Sequence, residues 1–186
     1  MARLQPTTLL AGAIISTALL AAFPVSTVQA HDDDDHKNRN FRVRLNPFQE
    51  VPSVSSVARG EFRLRISRDG QSMDYELSYS GLEGNVTQAH IHFAQKGVNG
   101  GISVWLCQTP PTPPGLTDPT GLSPRCPQQG TVTGELTAAN MVATAAGQGI
   151  AVGDFAELVK AIRAGKTYAN VHSTKFPGGE MRAQIK

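Results

Sequence analysis

The chain has 186 residues, a formal net charge of +2 and 17% charged residues. A near-neutral balance without a basic stripe, together with 6% aromatic residues and no RNA-binding aromatic signature, excludes nucleic acid as the partner. The length beyond an N-terminal export segment suits one domain, large enough to bury a core.

Residues 1–30 read as a signal peptide. Arg3 supplies the positive start, residues 9–22 are apolar, Pro24 breaks the helix, and Val28-Gln29-Ala30 puts small residues at the −3 and −1 positions of a cleavage site. The apolar stretch is short for a spanning helix, and no other segment is able to span, so no transmembrane segment is expected after signal cleavage. The expected location is outside the cytoplasm, periplasmic or extracellular. Loss of Arg3 lowers the formal charge to about +1. Residues 31–40 form a His/Asp-rich tail, His31-Asp32-Asp33-Asp34-Asp35-His36 at its head, expected to be disordered and self-repelling.

The rest reads as strands. Residues 41–45, 62–66 and 75–79 alternate strictly, which places one set of side chains on a core and the other in water. Arg68-Asp69-Gly70-Gln71 is a hairpin turn between two of these runs. Further strands are expected over 87–93, 102–106, 130–136, 167–173 and 181–185. Asp154 and Glu157 have capping-box spacing ahead of Phe155, Leu158, Val159 and Ile162, which recur at helical period, and Gly165 ends that helix. Short strands with turns every eight to twelve residues point to an all-β, antiparallel β-sandwich with one short helix near the C-terminal hairpin.

Cys107 and Cys126 are the only cysteines, and in an exported chain an even pair is most simply a disulfide. They flank a segment that holds Pro110, Pro111, Pro113, Pro114, Pro119 and Pro124, which cannot enter a sheet because proline removes ladder donors. Pinning that loop contributes about 3 kcal/mol in the chain-entropy account.

Every histidine of the folded part lies in two strands, Ala89-His90-Ile91-His92-Phe93 and Asn170-Val171-His172-Ser173. His90 and His92 are two apart and share a face, while Ala89, Ile91 and Phe93 take the core side. If the strands are neighbours, His90, His92 and His172 gather on one surface as a metal site suited to copper or zinc. The alternative is structural: the imidazoles hydrogen-bond turns and carboxylates, with Asn170 and Glu180 as partners and Arg182 pairing Glu180. Trp105 alternates with Val104 and Leu106 and is expected to pack on the outer face. Among catalytic signatures, no Gly-x-Ser-x-Gly elbow, P-loop or His-Glu-x-x-His helix occurs, and no catalytic residue is assigned.

Four segments in order carry a family resemblance. Leu45-Asn46-Pro47-Phe48-Gln49-Glu50-Val51-Pro52 is followed by the His-x-His strand with Gly97-Val98-Asn99-Gly100-Gly101. Then come the helix before Ala164-Gly165-Lys166-Thr167-Tyr168, and Asn170-Val171-His172-Ser173 with Phe176-Pro177-Gly178-Gly179-Glu180-Met181-Arg182-Ala183-Gln184. The set resembles bacterial chordin-type (CHRD) domain proteins over residues 41–186, with the Cys-flanked proline segment as an insertion. The resemblance implies a secreted β-sandwich module, Greek-key and immunoglobulin- or superoxide-dismutase-like. Copper–zinc superoxide dismutases also place a His-x-His strand on a sandwich, which is an analogy of fold and not of function.

The first expectation is therefore an exported, non-enzymatic binding or structural module that contacts an extracytoplasmic protein or surface. The alternative is a copper- or zinc-binding protein using the three histidines. Arg42, Arg44, Arg63 and Arg65 on one strand face hint at an acidic partner, or are simply a solvated face.

Overall fold

The computed structural model describes residues 39–110 and 117–186. The expected signal peptide, most of the tail and the middle of the proline segment lie outside the described residues. Asn40, expected at the end of the tail, instead opens the first strand.

Eight strands form in the expected order: β1 (Asn40–Leu45), β2 (Arg59–Ile66), β3 (Met73–Ser80), β4 (Val86–Phe93), β5 (Gly101–Gln108), β6 (Gly130–Leu136), β7 (Thr167–Ser173) and β8 (Met181–Ile185). They make two four-stranded antiparallel sheets, ordered β1-β2-β3-β6 and β5-β4-β7-β8. The chain changes sheet after β3, after β5 and after β6, the Greek-key crossing of a sandwich. Phe62, Ile66, Leu77 and Leu136 from the first sheet meet Ile91, Leu106, Met181 and Ile185 from the second in one core.

The two sheets bury themselves differently. On β2 and β3 every second residue is buried, as in Phe62, Leu64 and Ile66, while the intervening arginines stay in water. Those arginines do not form a basic patch: Arg42 and Arg63 both pair with Glu61 at 2.8 Å, and Arg65 pairs with Asp74 at 2.9 Å. Such exposed pairs neutralise charge but contribute little stability. On β7 and β8 every residue is buried, so the outer face of the second sheet is covered as well.

The cover comes from loops. A 3-10 turn at Pro47–Gln49, capped by Asn46 accepting from Phe48 N–H at 2.8 Å, lies against β8. The Val51–Pro52 peptide that follows is cis. Asn99, from the β4–β5 loop, donates to the Val51 carbonyl at 2.8 Å and ties the two loops together.

The helix α1 (Phe155–Arg163) buries Phe155, Leu158, Val159 and Ile162 on the face the spacing predicted. It ends in a Schellman arrangement, with Lys166 N–H to Ala161 O and Gly165 N–H to Ile162 O, both 2.9 Å. Gly165 there adopts φ +65°, open to glycine at no steric cost. The expected capping box does not form. Asp154, at φ −81° and ψ 63°, lacks the extended backbone from which a cap side chain reaches the first-turn amides, and Glu157 pairs instead with Lys160 at 3.5 Å.

Cys107 and Cys126 are disulfide-bonded, 19 residues apart. Substituting both (C107A/C126A) is expected to cost about 3 kcal/mol, read from the midpoint of urea denaturation. An unchanged midpoint would mean that the hydrogen bonds Gln108 N–H to Pro124 O and Cys126 N–H to Gln108 O hold the loop base unaided.

Candidate functional site

The register of the second sheet brings the histidines together. Asn170 of β7 lies opposite His90 of β4, Tyr168 lies opposite His92, and His172 lies opposite Gln88. On the other flank Trp105 of β5 lies opposite His90. Opposite residues of an antiparallel pair point to the same face, so these side chains all stand on the outer side of the sheet.

There they form one contact cluster. The rings of His90 and His172 are 4.9 Å apart, those of His90 and His92 5.3 Å, and those of His92 and His172 6.4 Å. One ligand nitrogen from each ring lies within 4.8 Å of the others. Trp105 packs edge-on against His90 at 4.3 Å, so it is the outer-face aromatic that the alternation predicted. The expected solvent-facing surface is not found: His90 is 1% exposed, His92 8% and His172 6%. The loops that cover the sheet are the cause.

The hydrogen-bond pattern fixes the tautomers of two rings. His92 Nδ1 lies 2.9 Å from the Gly100 carbonyl, and His172 Nδ1 lies 2.9 Å from the Pro177 carbonyl. A carbonyl only accepts, so both Nδ1 atoms carry the proton and both Nε2 atoms present a lone pair. Neither Nε2 makes a hydrogen bond of ordinary geometry, and neither nitrogen of His90 does, although Asn170, the partner expected for them, stands close enough to His90 and His92 to oppose the effect of burial. Burial pushes His90 well below its ordinary 6.5, and lowers His92 and His172 to about 4. The three rings are therefore neutral at physiological pH. An unpaired buried polar atom costs about 1–3 kcal/mol, so four on three touching rings are a feature to be explained.

The structural alternative was half right about partners. Two imidazoles do bond turns, through Gly100 and Pro177. The carboxylate assigned to them does not serve. Glu180 is fully buried and accepts from Ser56 Oγ at 2.7 Å, Glu83 N–H at 2.8 Å and Ser173 Oγ at 2.5 Å. Nor does Arg182 pair with Glu180. Glu180 precedes β8, which begins at Met181, so strand alternation does not bring it beside Arg182, and Arg182, opposite Asn170, stands on the outer side. It donates to Asn99 Oδ1 at 2.9 Å and to the Val98 carbonyl at 3.1 Å, with its guanidinium 3.8 Å from the Tyr168 ring centre. Tyr168 in turn stacks parallel on His92 at 4.7 Å.

The acid beside Arg182 is Glu50, which the sequence reading passed over as part of a motif. Glu50 is 5% exposed, and its carboxyl is pushed up to about 7 by burial, with the Arg182 charge opposing. It sits so close to Gly179 that a Cβ there would stand 2.5 Å from Glu50 Oε1, and Gly179 has φ +124°, a backbone conformation that favours glycine.

No curated protein and no solved structure matches the chain. The CHRD domain matches residues 41–185, which takes in the eight strands but for Asn40 at the start of β1, and the whole histidine cluster. On that match the chain belongs to the CHRD domain family.

Proposed function

We propose that this CHRD domain is an extracytoplasmic metal-binding module, with His90, His92 and His172 as its ligands and copper or zinc as the ion class. The observation that carries the reading is the set of unpaired lone pairs: Nε2 of His92, Nε2 of His172 and the ring nitrogens of His90, all buried and all neutral. The Nδ1–H bonds to Gly100 and Pro177 are the outer contacts that orient a ligating imidazole. Two nitrogens on one ion at about 2.0 Å from each lie roughly 3.3 Å apart, so binding would draw the rings inward by about 1 Å. Export through residues 1–30 belongs to the same proposal; the disulfide is consistent with an oxidising compartment.

A second reading, a metal-independent structural module, is favoured by the same two Nδ1 bonds, which hold the turns at Gly100 and Pro177. The two part experimentally. The full chain carrying H31A/H36A, which removes the tail imidazoles, is titrated with Cu(II), Cu(I) and Zn(II) by calorimetry and thermal melting. The metal reading expects one ion per chain and about 4 kcal/mol of added stability at a thousandfold excess over Kd. H172A should then lower the melting temperature mainly in the loaded protein. Equal losses with and without metal, and no saturable uptake, would leave the structural module.

A further inference from the structure

Which ion the three imidazoles accept is a question of charge. The ligand group is His90, His92 and His172 alone, with no carboxylate or thiolate among its members in the described residues. Its own charge is therefore zero. Behind it stands a fixed cation: the Arg182 guanidinium lies on the Tyr168 ring, and that ring lies on His92. Glu50 faces Arg182, and its burial disfavours the ionised form that would offset that charge.

Among the described residues no carboxylate or thiolate joins the group, and the aromatic neighbours of the cluster are the Trp105 ring, edge-on to His90, and the Tyr168 ring, stacked on His92. Zinc sites with three protein ligands complete their shell with water, and Cu(II) prefers tetragonal surroundings. The cost of desolvating an ion rises with the square of its charge, so a dication here costs about four times what a monocation does. A neighbouring cation raises the dication's cost further.

We infer that the site takes a monovalent d10 ion, Cu(I), in preference to Zn(II) and Cu(II). This rests on the metal-binding reading above. The three neutral nitrogens suit a trigonal Cu(I) centre, and the positive background that repels a divalent ion acts half as strongly on a monovalent one.

The test uses the full chain with H31A/H36A. Cu(I) is supplied under ascorbate without oxygen in competition with bicinchoninate, and Zn(II) in competition with a chromophoric zinc chelator. The expected result is one Cu(I) per chain, lost in H90A, with Zn(II) bound at least about 1,000-fold more weakly. Removing the background charge with R182Q should narrow that gap about tenfold. A Zn(II) affinity within tenfold of Cu(I) in the unsubstituted site overturns the monovalent assignment and leaves the metal-binding reading standing. No histidine-dependent uptake of either ion overturns both. Because the ratio is measured first in a chain with its site intact, failure of R182Q to fold does not decide the outcome.

Discussion

Acid is expected to unfold the metal-free domain by about two net protons. His92 and His172 titrate near 4 when folded and near 6.5 when unfolded, and His90 is depressed in the same direction. Between those values the unfolded chain binds protons that the folded chain refuses, so stability falls as pH drops from 6.5 towards 4. Glu50 works the other way. Its folded value of about 7 lies above its ordinary 4.5, so its contribution is present below 4.5 and is lost as pH rises through 7. Three depressed histidines outweigh one elevated glutamate. The balance predicts a loss of about 2 kcal/mol between pH 7.5 and 5.5, and about 5 kcal/mol by pH 4.5. Losses of that size rival the whole stability of a typical domain. Urea denaturation at the three pH values is the measurement. A flat profile from 7.5 to 5.5 would mean that the imidazoles protonate freely inside the fold.

E180A is expected to cost about 4 kcal/mol. Glu180 is the hub of four segments: Ser56 in the β1–β2 loop, Glu83 before β4, Ser173 at the end of β7, and its own position at the head of β8. Truncation strands three donors that face protein rather than solvent, each costing about 1–3 kcal/mol when left unpaired. E180Q keeps one carbonyl oxygen for Ser56 and the Glu83 amide and should cost about 1–2 kcal/mol. Guanidinium melts of the two variants separate shape from charge. A loss under about 1 kcal/mol for E180A would show that water replaces the carboxylate without penalty.

Much of the architecture was legible because its signal is local. Residues such as Phe62, Leu64 and Ile66, or Tyr75, Leu77 and Tyr79, announce one buried face by period alone. The same logic misjudged the second sheet. His90, His92 and His172 are polar, and alternation set them on the face away from the core; they are buried because loops fold over that face, as residues 98 and 99 do on Arg182. Nothing within a strand records what a distant loop will cover. The co-location of the three histidines could be stated only conditionally, since the pairing of β4 with β7 is a fact of topology. Partner assignments failed for the same reason. Glu180 and Arg182 are two apart in sequence and near in charge logic, yet they engage different loops on different sides of the hairpin. The Asp154 cap failed on backbone conformation, which residue type alone does not fix.

The histidine strands are not neighbours in time. β4 pairs with a strand that follows three 3-10 or helical segments and the whole of β5 and β6, and Asn46 near the start bridges to Arg182 near the end. Non-local closures of this kind are made late, since loop entropy is lost before the contacts return it, and they place such sandwiches among the slower-folding small domains. His90 and His92 share one strand of the local β4–β5 hairpin, whereas His172 joins them only through the non-local pairing of β4 with β7. An ion captured by that pair would sit in an open, hydrated and incomplete shell, and the final docking of β7 would be the step that closes it.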